Sequence, residues 1–382
     1  MFLAPENVPY YLAERGLVSL KSVVDGDFTV FEQSSRNYNL KVVRQGSPGF
    51  FIKQVRRQSA DLTTSFEREA ACYEAARDGD KLAALKRLIP DFHLFDARRH
   101  VMVLGLLSGA ESLWEHHKRV RRFSPRLAEL QGDKLGEYHD GVRVSDLSSP
   151  DLTSPALKRF PRALPWILSI HESDPSYLAT LSRGNAQVVE ILRRFPEFPR
   201  ALKEIKRSWR HNALIHGDVK WENLMLCGRR ESDGAAANEN GAPSYDGADL
   251  KVIDWEMADI GDDCWDVGAI FQSYLTFWIF SLPLAEKGLA EAAADSPYDE
   301  DEMKRAMNAF WHRYAARRRL SSKMYRRMRE RSMRCAAARM IQTAFESVQK
   351  SPDVTPHALC KLQMAMNILQ DPAAAVRDLM KV

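Results

Sequence analysis

The chain has 382 residues, 45% of them hydrophobic and 28% charged, with a formal net charge of +4. That composition excludes a wholly disordered chain and allows one large or two modest cores, while so small a charge is no argument for nucleic acid by itself. Five cysteines, Cys72, Cys227, Cys264, Cys335 and Cys360, include no C-x-x-C pair, so neither a zinc ribbon nor a disulfide framework is indicated and a cytoplasmic setting is expected. The opening MFLAPENVPYYLAERG lacks the basic and apolar regions of a secretory signal. Phe28 to Gln33, Leu40 to Arg44 and Phe50 to Val55 are short, β-branched and aromatic, and separated by polar turns, which predicts three antiparallel strands. Ser65 to Arg77 predicts a helix with Phe66, Ala70 and Tyr73 on one face and Ser65 as its N-cap. HVMVLGLL, His100 to Leu107, predicts a buried strand that closes a first domain over 1–107.

The second domain, 108–382, reads as mostly helical. Two strands interrupt it, Leu224 to Cys227 and Leu250 to Asp254, joined by a Gly-, Ala-, Asn- and Ser-rich segment over 228–249 that reads as a mobile hairpin insertion. Ile270 to Ala285 is the most apolar stretch, but it is short of a membrane span and carries Gln272, Ser273 and Pro283, so a buried helix is expected and no membrane. The expected class is therefore α+β, with a small antiparallel β lobe followed by a larger helical lobe.

Polar residues punctuate this pattern where apolar runs would hold them still. In HGDVKWENLML, residues 216–226, Asp218, Lys220 and Asn223 lie on a loop between the apolar Ala213-Leu214-Ile215 and Leu224-Met225-Leu226. Asp254 ends the run KVIDWE, and Lys53 is a charge inside the apolar GFFIKQV, with Glu69 on the following helix as candidate partner. Phosphoryl transfer from ATP needs an acid to orient a hydroxyl, ligands for Mg²⁺ and a cation on the phosphates. Asp218 fits the first need, Asn223 and Asp254 the second and Lys53 the third. Each also has a bland reading: loop aspartates are commonly caps, and Lys53 with Glu69 read as a plain surface pair contributes about 0–1 kcal/mol.

The ordered set Lys53, Glu69, HGDVKWEN and VIDWEMADIGDDCWDVG resembles the aminoglycoside phosphotransferase and choline kinase group of protein-kinase-like enzymes, over residues 20 to 285. The resemblance implies a bilobal protein-kinase-like fold and an ATP- and Mg²⁺-dependent phosphotransferase. It makes Asp218 the catalytic aspartate, Asn223 and Asp254 the metal ligands, Lys53 with Glu69 the ion pair that sets the α- and β-phosphates, and Asp266 a structural brace of the catalytic loop. It also implies an adenine slot against Leu106, Leu107 and Ser108, with Ile52 above and Met225 and Ile253 below. The phosphate cradle departs from the protein-kinase pattern: no G-x-G-x-x-G follows the first strand, and Ser35, Arg36 and Asn37 stand there instead.

Lys220 sits where Ser/Thr protein kinases carry a lysine that neutralises the migrating phosphoryl group. That tilts the expected acceptor toward a peptide Ser or Thr, and the opening NVPYYLAERGLVS with SSRNYNLKV resembles phosphotransferase partners of lanthipeptide pathways. The alternative is a small-molecule alcohol such as an aminoglycoside, an amino alcohol or a sugar. A non-enzyme reading, a pseudokinase or peptide-binding adaptor, requires a missing catalytic part, and none is missing. Finally, the stretch from Arg313 to Met340 is arginine-rich with Glu330 its only acid. It reads either as a solvated helix face with Met324, Met328 and Ala336 packed inward or as a docking surface for an acidic leader peptide; no base-reading motif accompanies it.

Overall fold

Two short helices precede the first strand. α1 (Val8–Glu14) carries Pro9 in its first turn and buries Val8, Tyr11 and Leu12 at helical spacing; α2 (Leu20–Asp25) is capped by Ser19, whose Oγ accepts the Ser22 N–H at 3.1 Å. The computed structural model describes residues 2–34, 38–55, 60–78, 83–143, 159–174, 176–177, 180–228, 245–284 and 287–380. Their described residues fall into two compact units. The first takes in Met1–Glu111, Ser148–Phe160 and Met225–Ala258, and the second Ser112–Leu147, Pro161–Leu224 and Asp259–Val382.

In the first unit, β1 (Phe28–Ser34), β2 (Tyr38–Arg44) and β3 (Phe50–Gln54) form the expected antiparallel run. It is followed by α3 (Ala60–Asp78), α4 (Ala83–Leu88), β4 (Phe92–Asp96) and β5 (Val101–Gly105). The five strands make one antiparallel sheet in the order β1-β2-β3-β5-β4, in which Lys53 stands opposite Asn39 on one neighbour and Met102 on the other. Successive side chains alternate across a strand. Phe50 and Ile52 therefore join Leu40, Val42, Val101 and Val103 in a core capped by Leu3, Val8, Tyr11 and Leu12 of the N-terminal segment, while Lys53 faces α3.

Two expectations shift here, and one strand is new. The helix starts at Ala60 with Asp61 in its first turn, so Ser65 is interior and its Oγ donates to Leu62 O at 3.1 Å, as a mid-helix serine does. The closing strand runs only from Val101, because His100 has φ +47° and belongs to the preceding turn. Tyr11 of α1 and Arg15 just after it both bond Asp96 at the end of β4, a strand the sequence pattern did not reveal.

The chain continues through β6 (Glu111–Ser112), α5 (Leu113–Val120), α6 (Pro125–Gly141), α7 (Arg183–Arg194), α8 (Glu197–Ser208), β7 (Ala213–Ile215), β8 (Leu224–Cys227), β9 (Asp249–Val252) and β10 (Asp259–Gly261). β9 ends two residues earlier than expected, since Asp254 takes φ +67° and cannot extend the strand. Residues 229–244, the body of the expected hairpin insertion, lie outside the described residues. Among the described residues, six helices follow: α9 (Asp263–Phe280), α10 (Leu289–Ala294), α11 (Glu300–Arg317), α12 (Ser322–Ser347), α13 (Pro356–Gln370) and α14 (Pro372–Met380).

In the second unit α9 is buried from Asp263 through Ile279, as a helix apolar on all sides must be. It contains the expected buried stretch only from Ile270 to Phe280, the chain leaving the helix at Ser281 ahead of Pro283, and no described helix is long and apolar enough to cross a membrane. α12 lies hard against it at Gly268, where a Cβ would come within 2.7 Å of Cys335 Cβ and 2.8 Å of Ser332 O. The basic stretch is not merely a solvated face. Met328 and Ala336 pack inward and Met324 only partly, but arginines turn inward too: Arg318 reaches Asp263 at 3.1 Å and Arg331 pairs with Asp262. Those cations neutralise Asp262 and Asp263, which with Cys264 are the one close acidic cluster among the described residues.

Candidate functional site

In the first unit, β3 delivers Lys53 to α3. Its Nζ donates to Glu69 Oε1 at 2.7 Å, to Glu69 Oε2 at 2.9 Å and to Asp254 Oδ1 at 2.9 Å. The Lys53 and Glu69 side chains are 9% and 0% exposed, so the plain surface pair is excluded. Burial works to lower the Lys53 pKa, but Glu69 and Asp254 outweigh it and hold the ammonium above its ordinary value. Burial pushes the Glu69 carboxyl up to about 7, with Lys53 pulling it back. Asp254 is aimed at Lys53 by its left-handed backbone.

Around this trio the expected adenine residues separate. Leu106, Leu107, Met225 and Ile253 are half-buried and Ser108 is exposed. Leu106 N–H is committed to Gly49 O at 3.0 Å and Ser108 N–H to Leu106 O at 3.0 Å. Ile52 is fully buried in the core under α1. Strand alternation is the reason: the residue that shares Lys53's face is Phe51. Ser35, Arg36 and Asn37 lie outside the described residues.

In the second unit, the loop 216–223 is fixed from both ends and from beneath. β7 leads into it, paired antiparallel with β10 through Leu214 and Ile260. Gly217 adopts φ +79°, a left-handed conformation that suits glycine, and this turn lets the N–H groups of His216 and Gly217 converge on Asp266 at 2.8 and 3.0 Å. Asp266 is fully buried in the first turn of α9, with His139 Nε2 at 3.3 Å from Oδ2. His216 steadies the loop as an acceptor, its Nδ1 receiving the Asp218 N–H at 3.1 Å. Trp221 anchors the far side, stacked on His117 with ring centroids 4.0 Å apart and donating to Gln131 Oε1 at 3.3 Å.

Held this way, Asp218 presents its two oxygens to different cations. Lys220 Nζ lies 2.8 Å from Oδ2, and Arg339 Nη2 of α12 lies 2.6 Å from Oδ1. Burial works to raise the Asp218 pKa, but Arg339 and Lys220 outweigh it and keep the carboxyl below its ordinary value. Lys220 is likewise held above the ordinary lysine value by Asp218, against its own burial. Asn223 Nδ2 donates to Asp218 O at 2.9 Å and approaches Oδ2 at 3.5 Å, which turns the amide oxygen the other way. An amide oxygen and a carboxylate are the donors a hard divalent cation takes, so Asn223 and Asp254 fit Mg²⁺ chemically.

Arg339 is the residue that sequence reasoning missed. It sits among many arginines, 121 residues from its partner; the only available signal was its place in the alanine-rich CAAARM run, where an isolated charge interrupts small buried residues.

No protein-family model matches the sequence, and no curated protein matches it. Solved structures do. A choline/ethanolamine kinase family protein from Mesorhizobium loti is 14% identical, with a TM-score of 0.50 over 97% of this chain and 99% of that one. A choline kinase from Cryptosporidium parvum is 11% identical, with a TM-score of 0.55 over 98% and 99%. A glucosamine kinase in complex with glucosamine, ADP and inorganic phosphate is 13% identical, with a TM-score of 0.55 over 99% of this chain and 88% of that one. Identities this low speak to architecture, and the architecture agrees with the sequence motifs: the chain has the protein-kinase-like fold of the choline kinases.

Proposed function

We propose that the chain transfers the γ-phosphoryl group of ATP to the hydroxyl of a small-molecule alcohol. The observation that carries this reading is Lys53, a buried ammonium gripped by Glu69 from α3 and Asp254 from the segment after β9, the arrangement that sets a nucleotide's α- and β-phosphates. The adenine lies against Leu106, Leu107 and Ser108 with Met225, Ile253 and Phe51 about it. Asn223 and Asp254 carry the donors that would hold Mg²⁺, and the ion would supply charge neutralisation for the phosphates. The acceptor oxygen bonds to Pγ, the Pγ–O bond to ADP breaks with its electron pair leaving on ADP, and the hydroxyl proton passes to Asp218 Oδ2. Lys220, on its flexible stem, follows the transferring phosphoryl group.

The peptide acceptor loses part of its support: within the arginine-rich stretch that suggested an acidic leader, Arg318, Arg331 and Arg339 pair with Asp263, Asp262 and Asp218 inside the second unit. Solved neighbours named as choline and glucosamine kinases favour a small polar alcohol. The test is ADP release with amino alcohols, amino sugars, aminoglycosides and Ser/Thr peptides, at low and high salt. We expect Mg²⁺-dependent turnover of a small alcohol that Asp218→Asn lowers by about 10²–10⁴-fold. Turnover of peptides alone would overturn the acceptor, and an unaffected Asp218→Asn enzyme would overturn the mechanism.

A further inference from the structure

The two cations on Asp218 differ in kind. Lys220 is 37% exposed and reaches Oδ2 through four flexible methylenes, whereas Arg339 is 4% exposed and fixed from three sides. Its Nη2 holds Oδ1 at 2.6 Å, its Nη1 donates to Gly217 O at 2.8 Å, and its guanidinium lies 5.4 Å from the centroid of the Trp265 ring. Trp265 Nε1 donates to the same Gly217 O at 3.1 Å, so Arg339 and α9 grip the backbone just before Asp218 together. Arg339 Nε has no hydrogen-bond partner among the described residues, which for a buried arginine means that its place is set by the Asp218–Gly217 contacts and the ring beneath it.

We propose that Arg339 is a positioning residue for phosphoryl transfer: it clamps Oδ1 of Asp218 so that Oδ2 is the oxygen presented to the acceptor hydroxyl, and it remains as counter-charge when Lys220 leaves for the phosphate. The inference rests on the reading of Asp218 as the proton acceptor given above. With Lys220 drawn off Oδ2, the Arg339 contact to Oδ1 is what still fixes the rotation of the carboxylate. A planar, permanently charged fork suits this duty better than a lysine, because it binds Oδ1 and a backbone carbonyl at once without titrating.

The test compares wild type with Arg339→Met, Arg339→Lys and Asp218→Asn. Arg339→Met should lower kcat by about 10–100-fold with the KM for ATP within about 2-fold, since positioning is lost and nucleotide binding is not. Arg339→Lys should restore kcat only in part, because a lysine cannot hold Oδ1 and the Gly217 carbonyl at once. Hydrogen exchange of the loop 216–223, read without substrate, should quicken in Arg339→Met and slow again in Arg339→Lys. A merely structural arginine would lower the melting temperature and the active fraction and leave kcat per folded enzyme and the loop's exchange where they were; that result overturns the proposal, and Arg339→Lys decides it if Arg339→Met does not fold. Full turnover in Asp218→Asn would sink the underlying reading instead, whereas a dead Asp218→Asn beside an Arg339→Met enzyme of wild-type kcat sinks only the role of Arg339.

Discussion

Glu69 shows at the scale of one residue how burial and charge trade against each other. With its side chain fully buried, removing Lys53 strands a carboxylate that burial already pushes up to about 7. Losing one member of a buried pair costs about 3–5 kcal/mol, unless the survivor takes a proton. In Lys53→Met the folded-state pKa of Glu69 therefore rises further above its unfolded value, and the folded state binds more protons than the unfolded one across that window. Stability is then fully present below the unfolded pKa and is lost as pH rises through the folded one. We expect the melting temperature of Lys53→Met to fall from about pH 5 to about pH 8, more steeply than wild type; parallel curves would mean that Glu69 stays ionised in both. Turnover should suffer more in Lys53→Ala than in Glu69→Ala, because the cation touches the nucleotide and the acid only orients it. Lys53 was legible in the sequence because a charge inside an apolar strand is conspicuous. Ile52, which the resemblance puts above the adenine, lies instead in the core under α1, because adjacent strand residues face opposite ways.

Among the elements, the crossing of α9 and α12 does most to shape the loop around Asp218. Gly268 is what allows it, since an added methyl would meet Ser332 O and the Cys335 side chain below 3.0 Å, and a backbone carbonyl cannot swing aside. Gly268→Ala should cost about 1–3 kcal/mol through overpacking. By pushing α12 away it should also reproduce part of the Arg339→Met phenotype, the fall in kcat at nearly constant KM for ATP. A loss of stability with no kinetic change would indicate that α12 relaxes without moving Arg339. The same crossing explains why α12 was hard to read. Its arginines follow no single face: some reach Asp262 and Asp218 while others meet water, and partners more than 60 residues upstream leave no local trace. Where the pattern was local the reading held, as in β1 to β3 and the apolar run of α9; where a terminus rested on distant contacts, as for α1 against Asp96, nothing in the spacing announced it.

For the molecule as a whole, the two clusters divide the labour of the proposed reaction: Lys53, Glu69 and Asp254 belong to one compact unit, and Asp218, Lys220, Asn223 and Arg339 to the other. Arg339 apart, the order of these residues along the chain was legible, most of them sitting at the end of, or inside, an apolar run; the acceptor was not, because no short motif encodes it. Nucleotide binding tests the division directly. A ligand at about 100 times its dissociation constant stabilises the state it binds by about 2.7 kcal/mol, so ATP with Mg²⁺ should raise the melting temperature by several degrees. ATP with a chelator should do markedly less, since on the proposed reading the phosphates then meet Lys53 without a divalent cation. Asp254→Asn should remove the magnesium increment while keeping the chelator-level shift, and Lys53→Met should lose both. Hydrogen exchange would report the reach of the effect: protection with Mg²⁺ and ATP is expected in residues 50–54 and 250–256 and also in the loop 216–223. Protection confined to the first unit, with the Asp218 loop exchanging as before, would show that the nucleotide binds without engaging the catalytic set and would remove the basis for assigning Asn223 to the metal.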